Sequence, residues 1–361
     1  MPAEFATAAR NRERAIAEDW PAAAPEEAGL DSGVLAGLAR QFDAWEEANL
    51  HAALIVRHGR LAYEHYFTGE DERWGRPLGR LAYDASMRHD LRSVTKSVIS
   101  LLAGCVLGEE GEAALATPVF ALFPEHADLA TGGKETMTLG HLLEMSTGLV
   151  WDEDIPYSDP ANSERMMTVA PDRVRYVLEQ PLLRPPGAAW LYNGGTTALV
   201  AEALVRRSGK PLDALAREFL FEPLAIAGEE WIRYDDGVPV AASGLRLTPR
   251  DTARIGQMVL QGGRWGDRQV VPADWIAIST APRLNGQGLF FFGLQWWLGR
   301  SLVAREEVRW IAAVGWGGQR LFVVPERDLV VVVHAGLYDQ PWLQPLPGET
   351  VLRRYALAAC L

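Results

Sequence analysis

Ser93 and Lys96 stand three residues apart at the head of a stretch that is apolar nearly all round: Val98, Ile99, Leu101, Leu102, Val106 and Leu107. On a helix, residues three apart share a face, so the Lys96 amine can reach the Ser93 hydroxyl. A serine hydroxyl is a weak nucleophile until a neighbouring base takes its proton, and a lysine moved into a confined site can be that base. A helix N-terminus adds unpaired N–H groups and positive potential, which favour an oxyanion forming beside Ser93. The ordinary meaning of such a pair is a helix cap and a solvated lysine. The apolar helix argues against it, because a lysine at the mouth of a buried helix needs a partner.

The elements that must position this pair follow from periodicity. Residues 30–49 read as a helix, with Leu35, Leu38, Phe42 and Trp45 on one face and Asp31 as N-cap. Residues 52–56 and 61–67 flank His58-Gly59-Arg60 as a hairpin, and residues 70–86 read as a polar loop leading into the Ser93 helix. From there to about residue 289 the pattern is helices and long loops. Helices are expected at 138–145 with Thr138 as cap, at 171–180, at 196–207 after Tyr192-Asn193-Gly194-Gly195, at 211–221, and at 248–261 with Thr248 as cap and Pro249 at the first helical position. Strands return at 290–298, 308–314, 320–324 and 329–334, and residues 350–359 close the chain as a helix. Strands at both ends around a helical middle predict an α/β sheet domain formed by residues 1–80 and 288–361, with a mostly helical domain, residues 81–287, inserted in it.

Composition bounds the rest. The chain has 361 residues, 48% hydrophobic and 23% charged, the make-up of an ordinary globular protein with a full core. A net charge of -12 argues against nucleic acid as a partner. Two cysteines, Cys105 and Cys360, make no disulfide framework, and Cys105 falls in the apolar helix as a core residue. The seven histidines are scattered without zinc spacing, so neither a metal nor a cofactor is expected. Residues 1–20 carry no apolar run of signal-peptide length and no segment has the roughly 18 apolar residues of a membrane span, which predicts a cytoplasmic protein without a membrane partner. Nothing in the sequence sets the number of subunits. No G-x-S-x-G elbow is present, which argues against a Ser-His-Asp hydrolase of the α/β type.

Five segments, in this order, resemble the serine hydrolases that share the fold of class C β-lactamases, DD-peptidases and related esterases: Arg92-Ser93-Val94-Thr95-Lys96-Ser97, Thr138 to Leu149, Tyr192-Asn193-Gly194-Gly195, Gly244-Leu245-Arg246-Leu247-Thr248, and Gly315-Trp316-Gly317-Gly318-Gln319. The resemblance runs from about residue 25 to the C-terminus. It implies that Ser93 forms an acyl-enzyme, that Lys96 helps remove its proton, and that Tyr192 shares proton transfer and serves the leaving group. It further implies an oxyanion hole from the backbone N–H groups of Ser93 and Gln319, on a sheet-edge strand beside the nucleophile. Gly317 and Gly318 then let substrate approach the backbone, and Tyr157 lies in a loop that faces the site in relatives.

Two positions depart from the family. Gly194 stands where relatives have Asn, and Trp316 where β-lactamases and DD-peptidases have Lys and many relatives His. Trp316 cannot hold a substrate carboxylate as a point charge; it offers an apolar face and one N–H. The expectation is therefore an esterase or small-amide hydrolase, nearest in motif to the esterase and 6-aminohexanoate-dimer-hydrolase branch. The alternatives are a β-lactamase or D-amino-acid peptidase, and a catalytically silent binding protein on the same fold. Trp151, Trp296 and Trp297 are read as core residues able to line a pocket, and Asp152, Glu153 and Asp154 as a solvated loop or helix cap.

Overall fold

The computed structural model describes residues 20–360. In chain order the elements that matter for the site are helix α1 (Ser32–Ala44); strands β1 (Leu50–Arg57), β2 (Arg60–Tyr66), β3 (Thr68–Arg73), β4 (Arg76–Ala82) and β5 (His89–Asp90); helices α2 (Val94–Leu107), α3 (Leu139–Leu143), α4 (Ser163–Val169), α5 (Arg173–Glu179) and α6 (Gly194–Ser208); strands β6 (Glu230–Trp231) and β7 (Leu245–Leu247); helices α7 (Pro249–Leu260) and α8 (Ala273–Ser279); strands β8 (Leu284–Asn285), β9 (Phe291–Phe292), β10 (Trp297–Val303), β11 (Glu306–Gly315), β12 (Gln319–Val324) and β13 (Leu329–Ala335); and helix α9 (Pro345–Thr350) with a wider turn continuing over Val351–Ala356.

Eight strands form one antiparallel sheet in the order β8-β9-β10-β11-β12-β13-β1-β2. The expected architecture holds: β1 and β2 come from the N-terminal end, the other six from the C-terminal end, and most of the helices lie between them in sequence. β1 pairs with β13 through Ala53↔Val333 and Ile55↔Val331, joining the two ends directly. Every residue of β1, β12 and β13 is buried, because helices cover both faces. The two-residue period of a strand then sorts side chains between two cores. Leu54, Val56, Val330 and Val332 face α2 and α7, while Ile55, Val331 and Val333 face Leu35, Leu38 and Phe42 of α1 and Val351, Leu352 and Tyr355 of the C-terminal turn. Each such aliphatic side chain contributes about 1.5–3 kcal/mol by leaving water.

The caps are the predicted ones. Asp31 accepts from Gly33 N and Val34 N, Thr138 closes a capping box with His141, and Thr248 accepts from Asp251 N ahead of Pro249. Three expectations need correction. Residues 70–86 are not a plain loop: β3 and β4 form a hairpin turned at Trp74 and Gly75, both at positive φ. β3 is mostly charged, with Gly69 and Asp71 buried, and most of β4 is exposed, so no apolar alternation marks the hairpin. Helices α4 and α8 also appear where none is expected. Finally, the strands flanking Gly315–Gln319 are not at a sheet edge, since β11 and β12 each have neighbours on both sides.

Candidate active site

Ser93 caps α2 in position but not in hydrogen bonding: its backbone is at φ -68°, ψ -6°, and its side chain bonds no N–H of the first turn. The hydroxyl instead accepts from Lys96 Nζ at 2.8 Å. The ammonium also donates to the Ala242 carbonyl at 3.1 Å and stands 3.8 Å from Glu153 Oε1. The Lys96 side chain is 3% exposed. It is the buried, partnered lysine that its place on an apolar helix requires.

Tyr192 precedes α6, whose N-cap is Asn193, accepting from Thr196 N. The Lys96 ammonium lies 4.9 Å from the centre of the Tyr192 ring. Burial pushes the Tyr192 hydroxyl up from its ordinary pKa, the charge of Lys96 pulls it down, Glu153 adds to the rise, hydrogen bonds from Ser93 and Lys96 oppose it, and the net direction is up. For Lys96, burial works downward, but Tyr192, Glu153 and Glu164 outweigh it and hold the amine above its usual value. The resting site therefore favours an ammonium at Lys96 and a neutral phenol at Tyr192.

Glu153 is a member that sequence alone misses. Its side chain is 8% exposed, not solvated, and one oxygen, Oε2, accepts from both Trp151 Nε1 at 2.6 Å and Gly194 N at 2.7 Å. The helix-cap half of the expectation holds, since Gly194 N–H is the first of α6. A Cβ at Gly194 would lie 2.9 Å from Glu153 Oε2, so the glycine that replaces the family's Asn makes room for this carboxylate. A second carboxyl, Glu164 on α4, accepts from Ser243 Oγ at 3.0 Å. Burial, then the charge of Glu153, raises its pKa.

The start of the turn at residues 315–319 closely approaches the backbone just before Ser93. A Cβ at Gly315 would lie 2.2 Å from the Leu91 carbonyl oxygen and 3.3 Å from Arg92 Cβ. Gly317 and Gly318 turn the chain at φ 85° and 97°. The Gln319 side chain is buried and bonded on both sides, Nε2 donating to the Ala335 carbonyl at 2.7 Å and Oε1 accepting from Ala335 N at 3.3 Å, which fixes the start of β12. Arg92, just before the nucleophile, has φ 49°, a strained backbone for a non-glycine residue. It is held there by Glu72 at 2.5 Å, Asp90 at 3.6 Å, and the rings of Trp74 and Tyr338 at 4.7 and 5.1 Å.

Among the other expected residues, Trp316 and Tyr157 are exposed at 45% and 48%, and the Tyr157 hydroxyl pairs with Thr168 Oγ1 at 3.1 Å. Trp297 stacks on Tyr192 with centroids 6.0 Å apart, and Trp190 packs against both, making an aromatic wall beside the phenol. Trp151 and Trp296 are buried core residues, with Trp151 also holding Glu153.

The beta-lactamase family model matches residues 42–337 of the 361. The chain belongs to that family and is a serine hydrolase of it. It is 25% identical over 311 residues to 6-aminohexanoate-dimer hydrolase of Paenarthrobacter ureafaciens, an alignment covering 80% of this chain and 72% of that one. Among solved structures it resembles a protein provisionally called 6-aminohexanoate-dimer hydrolase from Bacillus anthracis, with TM-score 0.69, 20% identity, and 87% and 79% of the two chains covered. It also resembles EstCE1, a hydrolase with promiscuous acyltransferase activity, with TM-score 0.66, 15% identity, and 87% and 97% covered. Among the described residues no helix is long and apolar enough to cross a membrane.

Proposed function

We propose that the protein cleaves an ester or a small amide through an acyl-enzyme on Ser93. The observation that carries this reading is the 2.8 Å contact between Lys96 Nζ and a Ser93 hydroxyl that caps nothing. In the proposed course, the Lys96–Tyr192 pair first gives up one proton to solvent. Ser93 Oγ then attacks the carbonyl carbon while its proton passes to the pair. The backbone N–H groups of Ser93 and Gln319 receive the oxyanion, each worth roughly 3 kcal/mol. Collapse breaks the bond to the leaving group, which takes a proton from Tyr192, and water attacks the acyl-enzyme by the reverse route. Tyr157, Gly194, Gly317 and Gly318 are assigned to the substrate's surroundings, and Trp316 to its acyl side.

Two sets of aromatic residues support a reading of the substrate class. Trp316 offers an apolar face where a lysine would hold a carboxylate, and Trp190, Tyr192 and Trp297 supply a further aromatic wall. Both favour an uncharged acyl group over the anionic ones of β-lactams and peptidoglycan peptides. The relatives' names, a dimer amide hydrolase and a hydrolase with acyltransferase activity, agree with an ester or amide substrate. A fluorophosphonate should add its mass to Ser93, and Ser93→Ala should remove both labelling and ester turnover while the protein stays folded. A folded wild-type protein left unlabelled would overturn the proposal, and nitrocefin turnover equal to ester turnover would transfer it to the β-lactamase reading.

A further inference from the structure

Beneath the strand that leads to the nucleophile lies a second polar cluster that the hydrolytic reaction does not use. His51 of β1, Asp71 of β3 and His89 of β5 are buried together, one ligand-type atom from each lying within 4.8 Å of the others. His51 Nδ1 is 2.8 Å from His89 Nε2, and His89 Nε2 is 3.6 Å from Asp71 Oδ1. Around a tetrahedral zinc ion with bonds of about 2.1 Å, ligand atoms sit about 3.4 Å apart, so these separations bracket that spacing.

The tautomers can be read from the outer partners. His51 Nε2 faces only acceptors, the Glu70 carbonyl at 3.1 Å and Asn49 Oδ1 at 3.3 Å. The Asn49 amide is fixed in that orientation, since its Nδ2 donates to the Glu70 and Gly336 carbonyls at 2.8 and 2.9 Å and its Oδ1 accepts from Glu70 N. His51 Nε2 must therefore carry the proton. His89 Nδ1 likewise faces the Asp90 carbonyl at 3.1 Å and must donate to it. In neutral rings both inner nitrogens, His51 Nδ1 and His89 Nε2, then present lone pairs to each other. Asp71 Oδ1 adds a third, being buried with no hydrogen-bond donor, while its other oxygen accepts from the Tyr83 hydroxyl. Histidines whose outer N–H groups are held by carbonyls, beside a carboxylate held by a hydroxyl, are the outer shell that orients metal ligands. Next to them stands His334 of β13, 1% exposed, its ring centroid 5.0 Å from that of His89 and both its nitrogens without a hydrogen-bond partner.

We propose that His51, Asp71 and His89 bind one divalent transition-metal ion of the zinc type. Two imidazoles and a carboxylate are the donors that suit zinc. The ion would tie β1 of the main sheet and β3 to β5, four residues before Ser93, and so serve structure, not bond cleavage. A single proton shared between the two imidazoles is the competing way to join three lone pairs. The ligands come from three strands with no common spacing, which is why the sequence predicts no metal.

The test uses the whole protein, stripped with a strong chelator and then titrated with zinc or cobalt(II). Expected are one equivalent of metal retained through gel filtration, visible d–d bands from cobalt at a histidine site, and a melting temperature raised by zinc. Asp71→Asn and His89→Gln should lose the retained metal, and His58→Ala, at the exposed hairpin turn, should keep it. Should either site variant fail to fold, cobalt broadening of the wild-type His51 and His89 imidazole resonances locates the ion instead. Folded wild-type protein that retains no metal, or folded Asp71→Asn and His89→Gln that retain it undiminished, would overturn the proposal.

Discussion

At the scale of single residues, the proposed chemistry depends on how much charge Lys96 must shed. Tyr192 and the carboxylates Glu153 and Glu164 hold the amine protonated beyond its usual range, so kcat/KM should rise through the alkaline side of neutrality as the Lys96–Tyr192 pair loses its proton. Glu153→Gln isolates the charge. The amide oxygen can accept from Trp151 Nε1 and Gly194 N as Oε2 does, while the side chain no longer stabilises the ammonium 3.8 Å away. Lowering the pKa of Lys96 makes its free base available at lower pH, so the ascending limb should move toward acid by about one unit. A profile that does not move would reduce Glu153 to a helix cap. Trp316→Lys probes the proposed acyl side. It should raise kcat/KM for an acyl group bearing a carboxylate relative to its uncharged counterpart by about tenfold or more, measured with a matched ester pair, because it supplies the missing point charge.

At the scale of elements, Gly194 and Glu153 form a matched pair across the head of α6. Gly194→Ala places a methyl 2.9 Å from Glu153 Oε2 and should lower stability in urea by about 1–3 kcal/mol. Adding Glu153→Ala should recover part of that loss, a coupling that a double-mutant cycle reads directly. The segment before Ser93 has its own anchor. Arg246 of β7 donates through Nε to Asp90 Oδ1 at 2.5 Å and through Nη1 to Glu230 Oε2 at 2.8 Å, with Asp90 1% exposed. Arg246→Met leaves Asp90 buried without that partner and should destabilise the protein by about 3–5 kcal/mol in chemical unfolding. Such anchors escape a reading by periodicity. Arg246 looks like one charged residue in a short apolar strand, and Asp71 like one of several acids in a polar stretch. Only the hairpin β3–β4, invisible to hydrophobic alternation, turns Asp71 inward.

At the scale of the whole molecule, the proposed catalysis depends on how the sheet meets the helices. The contact is backbone on backbone, Gly315 against the Leu91 carbonyl. Gly315→Ala must push the β11–β12 turn away from Ser93, and a displacement of about 1 Å at a reacting centre can slow it about 100-fold. The rate of fluorophosphonate acylation should fall accordingly while circular dichroism shows the sheet intact.

The sequence by itself determined the pieces that are local. Ser93 and Lys96 are neighbours because a helix repeats every 3.6 residues, and α1, α3 and α7 begin where Asp31, Thr138 and Thr248 can accept from free N–H groups. It also determined the two-ended sheet, because β-rich segments at both ends must pair to bury their apolar faces. Tertiary structure decided what approaches that pair from far along the chain. It put the Glu153 carboxylate in the space beside Gly194, Trp297 on Tyr192, Gly315 against Leu91, and His51, Asp71 and His89 side by side. None of these contacts has a spacing to read, since each is made by residues on separate elements whose meeting is set by packing of the sheet and helices.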